Sequence, residues 1–161
     1  MIQLYKEVRN IISKVEKYQR CIDDIGILLQ KTVRTFQILE REQIKKHGLT
    51  NSQCYILLEL RKFKILPIKE LSQHLHLDIS TITRVMNNLV RDKFIIKKRS
   101  SYDRRSIEAS LTAKGLSTAN ILKKDIDDYY RKVIEQLPPG HVREVMSSFE
   151  LLVEALADAM H

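Results

Sequence analysis

Between Asp78 and Arg91 the chain sets short hydroxyls, a guanidinium and an amide on one side of a helical repeat. The polar side is Ser80, Thr81, Thr83, Arg84 and Asn87, while Ile82, Val85, Met86, Leu89 and Val90 recur at the steps that bury one face of a helix. The chemistry these polar groups share is hydrogen bonding to base edges and phosphate oxygens. They lie mostly in the N-terminal half of the repeat, the part that a recognition helix presents to the major groove. A plain solvated face is the competing reading, but such a face is richer in Glu and Lys, the better helix formers.

A basic segment follows at once. From Arg84 to Arg105 stand Arg84, Arg91, Lys93, Lys97, Lys98, Arg99, Arg104 and Arg105, against Asp92 and Asp103 alone. That excess is most of the formal net charge of +8, and the sequence pI is about 9.5. Phe94-Ile95-Ile96 is β-prone, Lys97-Lys98-Arg99 faces outward or toward phosphate, and the stretch Ser100–Arg105 reverses the chain. Ser106–Leu111 then alternates as a returning strand. A basic hairpin beside a polar helix implies an anionic partner, either nucleic acid or an anionic membrane surface.

The elements that must position these groups are legible from periodicity and caps. Ile68, Leu71 and Leu75 mark a helix before the Leu77-Asp78 turn, and Asp78 is suited to cap the helix that follows. Upstream, Thr50-Asn-Ser-Gln53 fits a capping box that opens a helix to about Phe63, with Cys54, Ile56, Leu57, Leu58 and Leu60 apolar; Pro67 separates it from the next helix. Thr112 caps a helix running to about Leu137, with a stripe of Ile121, Leu122, Ile126, Tyr129, Val133 and Ile134. Pro138-Pro139-Gly140 ends it, and a last helix from Val142 to Ala157 is apolar over a wide arc. The opening residues carry Leu4, Val8, Ile11, Val15, Tyr18, Ile22, Ile25, Leu29, Val33 and Phe36 at steps of three and four. They read as one long helix or two in sequence, with Gly26 as a break or a close-packing point and a stop at Gly48. The expected fold is mainly α with a small β-hairpin wing: a winged helix-turn-helix over 48–112, with 1–47 and 113–161 as a helical dimerisation region.

Asp103-x-Arg105 and Leu111-Thr112-x-x-Gly115, preceded by Ser80-Thr81-Ile82-Thr83-Arg84 and Leu89, resemble the MarR family of bacterial and archaeal transcription regulators. The resemblance covers roughly Ile25 to the C-terminus. It implies a homodimer on a pseudo-palindromic double-stranded DNA operator, released by a small aromatic or anionic effector. By the same resemblance Arg105 enters the minor groove, Asp103 holds the wing tip in shape, and Ser80, Thr81, Thr83 and Arg84 contact DNA from the recognition helix. Asn87, Lys97, Lys98, Arg99 and Arg104 complete the expected DNA contacts. Physically, an Arg on a narrow projection gains most where the minor-groove potential is focused, and a neighbouring Asp can fix its guanidinium by a charge-assisted bond. The resemblance also implies an effector cleft where the dimer helices meet the winged unit, near Tyr18, His47, Cys54 and Tyr55.

Other chemistries find little support. The four glycines are isolated, so no phosphate loop exists, and neither His-Glu-x-x-His nor a Ser flanked by glycines occurs. His74 and His76 diverge on a short helix, as do the adjacent pairs Asp23-Asp24 and Asp127-Asp128. No enzyme activity, cofactor or metal is expected. Cys21 and Cys54 form no Cys-x-x-Cys, and Cys54 reads as core. The family's peroxide-sensing branch places its reactive Cys near Gly26, more than a turn from Cys21, so thiol sensing is a secondary alternative. A winged helix used only for protein contact is another, which the basic wing and Arg84 oppose. No apolar run approaches the roughly 20 residues of a membrane span. Glu7, Glu16, Asp23 and Asp24 interrupt the basic face of the first helix, which argues against membrane-surface binding; a cytoplasmic location is expected.

Overall fold

A computed structural model describes residues 2–159 except 102 and 104, with side chains described for 18–38 and from 41 onward apart from those two. The chain divides into two compact units, Met1–Gly48 and Leu49–His161.

The first unit is a single helix, α1 (Ile2–Lys45). Gly26 does not break it, and a Cβ built there would meet nothing within 4 Å. Intrahelical bonds carry the backbone through, and one glycine costs a helix this long only about 1 kcal/mol. The break expected at Gly26 is therefore corrected. The helix closes as its composition suggests: Gly48 adopts φ +66 and donates its N–H to the Lys45 carbonyl at 3.0 Å. Tyr18, Ile22, Ile25, Ile27, Leu28, Val33, Phe36 and Ile38 are exposed along α1.

The second unit runs α2 (Asn51–Phe63), β1 (Ile65–Pro67), α3 (Ile68–Leu75), α4 (Ile79–Arg91), β2 (Ile95–Arg99), β3 (Ile107–Leu111), α5 (Ala113–Glu135) and α6 (Val142–Asp158). The capping box forms as read: Thr50 accepts from the Gln53 N–H, and the Gln53 side chain accepts from the Thr50 N–H. α2 then packs on α3, α4, α5 and β3, burying Cys54, Ile56, Leu57 and Leu60. Two contacts tie it outward: Arg61 Nε donates to Asn120 Oδ1 at 2.7 Å, and His74 Nδ1 lies 2.8 Å from Glu59 Oε2.

The sheet has three strands in the order β1-β3-β2, all antiparallel, rather than the two of a simple hairpin. Ile65-Leu66-Pro67 pairs with Pro67↔Glu108, Leu66↔Ala109 and Ile65↔Ser110. Ile95, Leu66 and Ala109 turn inward beneath Leu71, Ile82, Met86 and Leu89, completing one core. Apolar stripes read as buried are only partly so. Val90 is exposed, and on α5 only Gly115, Ala119 and Leu122 are buried while Ile121, Tyr130, Val133 and Ile134 are not. α6 buries none of its residues, so Val145, Met146, Phe149, Val153 and Leu156 form an apolar face, while Leu151 is exposed on the other side of the helix.

The Leu111-Thr112-x-x-Gly115 string acts as a clasp. Thr112 Oγ1 accepts from the Gly115 N–H at 3.0 Å and donates toward the Lys93 carbonyl at 2.8 Å and the Phe94 carbonyl at 3.2 Å. The Thr112 N–H also reaches the Phe94 carbonyl, at 3.0 Å. A Cβ on Gly115 would sit 1.9 Å from that same carbonyl oxygen. No side chain fits there unless backbone moves.

Gly115→Ala should therefore lower the unfolding free energy by about 1–3 kcal/mol or more, as overpacking against an unyielding wall does. Gly26→Ala, in a helix with open space around its Cα, should raise it by about 0.5–1 kcal/mol. Urea titrations of the two variants test the contrast; equal stabilities would mean that the Phe94 backbone yields freely.

Candidate nucleic-acid interface

The turn between α3 and α4 is locked from both sides. His76 takes a left-handed conformation at φ 49, the Leu77 N–H bonds the Ser72 carbonyl at 3.1 Å, and Ser72 Oγ donates to the Leu77 carbonyl at 2.6 Å. Asp78 then caps α4. Its Oδ1 accepts from the Thr81 N–H at 2.8 Å and from the Ser80 hydroxyl, and its Oδ2 accepts from the Thr81 hydroxyl at 2.7 Å. These bonds, led by that from Ser80, hold the Asp78 carboxyl well below the usual carboxylate range. The hydroxyl protons of Ser80 and Thr81 are thus turned onto the cap. This supplies a local reason for two poor helix formers at these positions, a signal present in the Asp-x-Ser-Thr string but not drawn from it.

Further along the same face, Thr83 is half-buried while Arg84 and Asn87 are exposed. The Asn87 side-chain carbonyl accepts from Lys97 Nζ at 2.5 Å, joining α4 to β2. The strand register explains the reach. Lys97 pairs with Ala109 and shares the inward row of the sheet, whereas Lys98, opposite Glu108, faces away. At the tip, the Ser100 N–H bonds the Ser106 carbonyl at 2.9 Å and the Ser106 N–H the Asp103 carbonyl at 2.8 Å.

Asp103 also acts here, though not by the contact anticipated. Its Oδ1 accepts from the Arg105 backbone N–H at 2.9 Å, closing a local turn, rather than holding the guanidinium. The guanidinium of Arg105 is exposed at the end of the projection, and Arg104 lies outside the described residues. Lys98 and Arg99 are exposed as well. Arg91 is engaged by its neighbour, Nε to Asp92 Oδ1 at 3.0 Å, which keeps the Asp92 carboxyl below its ordinary range.

Of the residues assigned to an effector cleft, Tyr18 and His47 belong to the first unit, Cys54 and Tyr55 to the second. Tyr18 is exposed, Tyr55 is half-buried, and Cys54 has no accessible surface, as expected of a core residue. Cys21 is exposed on α1. Among the described residues no three His, Cys, Asp or Glu side chains gather as a metal site, and no helix is long and apolar enough to cross a membrane.

This geometry has counterparts. The family described as transcriptional regulator SarA/Rot matches residues 39–122, just over half of the chain. The chain belongs to that family. Its members and the relatives found are transcription regulators, not enzymes. The regulator SarZ of Staphylococcus epidermidis is 30% identical over 81 residues, which are 50% of this chain and 55% of SarZ; the chain thus spans about half the length of that relative. A MarR transcriptional regulator from Methanosarcina mazei superposes with a TM-score of 0.71 at 25% identity, covering 85% of this chain and 99% of the other. Reduced AbfR bound to DNA superposes with a TM-score of 0.70 at 21% identity over 90% of this chain and 98% of AbfR, a likeness of fold. The MarR-type winged helix read from the two sequence strings is borne out.

The cap gives a pH test. Because the folded Asp78 carboxyl titrates below its ordinary value near 3.9, its contribution to stability is fully present above about pH 5. That contribution is lost only as pH falls through the lower folded value. The stability gap between wild type and Asp78→Ala, followed by urea unfolding, should hold level from pH 7 to about pH 5 and narrow in stronger acid. A gap that widens in acid would contradict the capping role.

Proposed function

We propose that the chain is a homodimeric, sequence-specific DNA-binding transcription regulator, acting as a repressor whose affinity for DNA a small effector modulates. The observation that carries this reading is the joint placement, in one unit, of the exposed Arg84–Asn87 face of α4 and a wing bearing Lys97, Lys98, Arg99 and Arg105. Thr83 and Arg84 read base edges, Lys98 and Arg99 hold phosphates, and Arg105 enters the minor groove, with Arg104, its neighbour in sequence, adding positive charge and Asp103 keeping the tip in shape. Ser80 and Thr81 contribute by ordering the first turn of α4 and by their remaining acceptor positions. The DNA complex of AbfR, with the same fold, supports the assignment.

Dimerisation is supported by exposed apolar surface on each unit taken by itself. Ile22, Ile25, Val33 and Phe36 stand out on α1, and Val145, Met146, Phe149 and Val153 on α6. Contiguous patches of this kind on a subunit mark interaction surfaces. Removing the residues after Pro138 should give aggregated or unfolded protein; a soluble, folded monomer by sedimentation would refute the dimer. The effector is assigned to a small aromatic or anionic compound. A 10- to 100-fold change in DNA affinity asks only about 1.4–2.7 kcal/mol of differential binding between states. Titration with salicylate-like anions tests it, and a bound duplex that no ligand or oxidant releases would identify a constitutive binder.

DNA binding itself is tested by salt and by sequence. If the dimer neutralises about 6–10 phosphates, log K should fall against log salt with a slope of roughly −0.9 per contact. An affinity indifferent to salt would refute the reading. On a panel varied separately in flank and core, Arg105→Ala should lose most at sites with a narrow, A·T-rich flank, whereas Arg84→Ala should relax the core preference by about 1–3 kcal/mol. Equal losses from Arg105→Ala and Lys98→Ala on every sequence would reduce Arg105 to a phosphate contact.

A further inference from the structure

Heptad spacing runs along one face of α1. With Ile22, Leu29 and Phe36 as the a positions of a seven-residue repeat, Tyr18, Ile25 and Thr32 fall at d. Counted back through the sequence, the same frame takes in Val15 and Val8 at a, and Ile11 and Leu4 at d. The repeat thus accompanies most of α1, which is one uninterrupted helix over Ile2–Lys45. A sustained repeat of seven is the pattern of a helix wound on another helix; a helix laid on a globular core shows a wider apolar arc of period 3.6.

The remaining positions agree. Between residues 18 and 38 the charges are Arg20, Asp23, Asp24, Lys31 and Arg34, and all fall at b, c or f. The e and g positions that flank the seam hold Gln19, Cys21, Gly26, Leu28, Val33 and Thr35, with no charge among them. Upstream, g is Glu7 and Lys14 and e is Tyr5 and Ile12; a parallel pair sets g against e, so no like charges meet. Tyr18, Ile22, Ile25 and Phe36 are exposed. Ile27 and Ile38, at f and c, lie off the seam and are left for other contacts. What covers such a seam is a helix of the same spacing with uncharged flanks, and a second α1 is one.

DNA geometry favours the parallel sense. An antiparallel overlap of the whole seam would set the two Lys45 ends roughly 75 Å apart, at about 1.5 Å per residue. Recognition helices in successive major grooves stand about 34–36 Å apart. A parallel pair brings both Lys45 ends, and the winged unit that follows each, to the same end of the rod.

We propose that α1 pairs with α1 of a second copy as a parallel, in-register, two-stranded coiled coil along the seam from Leu4 to Phe36. The inference rests on the homodimer reading given above and names the segment and the sense of the pairing.

The experiment is disulfide trapping in the full chain, with Cys21→Ser as background; Cys54 is buried. Ile11→Cys and Ile25→Cys each place a thiol at d, two heptads apart, or about 21 Å along the helix. Gln30→Cys, at b, is the control. Facing seam positions of a parallel pair come within the roughly 4.4–6.8 Å between Cα atoms that a disulfide spans. Under copper-phenanthroline oxidation both seam variants should form covalent dimer at least about 10-fold faster than Gln30→Cys. An antiparallel pair can bring at most one of the two sites to its own copy.

Sedimentation equilibrium gives a second measurement, with thermal melts to verify folding. Ile25→Asp should raise the dimer Kd by about 10-fold or more, and Gln30→Asp should stay within about 2-fold of wild type. Trapping at only one seam site, at neither, or equally at Gln30→Cys would overturn the proposal. A wild-type chain that sediments as a dimer while its variants trap at neither site would keep the homodimer and lose the coiled coil. A monomeric wild type would remove both.

Discussion

The winged unit hangs on one close approach, that of Gly115 to the carbonyl of Phe94. The turn leaving α4 passes through Lys93 at φ +61 and delivers Phe94 so that its carbonyl meets both the N–H and the hydroxyl of Thr112. Because residue 115 lacks a side chain, the first turn of α5 can lie directly on that peptide. Lys114 closes over the outside, with Nζ 2.9 Å from the Asp92 carbonyl and 4.1 Å from the centre of the Phe94 ring. The end of the polar helix, the start of the wing and the start of α5 are thus pinned at one point. Ile95, Leu89 and Leu122 are buried because three elements converge there.

That pinning controls what the candidate interface can do. The polar face of α4 and the wing are separate in sequence and chemically unlike, one offering hydroxyls and an amide, the other cations. They become a single surface only if the strand leaves the helix at a fixed angle and register. Lys97 reaching Asn87 expresses that register at the level of side chains. A slip of one residue along β2 would point Lys98 inward instead and turn Lys97 to the opposite face.

Much of this was legible in the sequence where one physical signal acts alone. Helical spacing gave α3 and α4 their limits, the Thr50–Gln53 pair opened α2 where the capping box predicts, and Thr112 opened α5. The third strand was not legible, because three residues ending in proline are too short for alternation to register. The outer half of α5 and all of α6 have apolar stripes that periodicity identifies, but periodicity is silent on whether one subunit or two will cover them. Within the site, hydroxyls at a helix start are ambiguous by nature: the donor that could meet a phosphate can equally meet a capping carboxylate. Ser80 and Thr81 take the second course through Asp78. The Lys97–Asn87 contact joins residues ten apart through a strand register that no local pattern encodes.

The short strand has a further effect. A three-stranded sheet has two open edges, and an open edge is a template on which a second chain can stack. Here β1 is bounded by Lys64 at φ +68 on one side and by the helix beginning at Ile68 on the other, and its last residue, Pro67, has no N–H to offer. The opposite edge, β2, carries Lys97, Lys98 and Arg99, which repel a second copy laid alongside. The cations suited to holding an anionic partner therefore also guard the sheet against runaway strand-to-strand aggregation, a protection that neutralising the wing would remove.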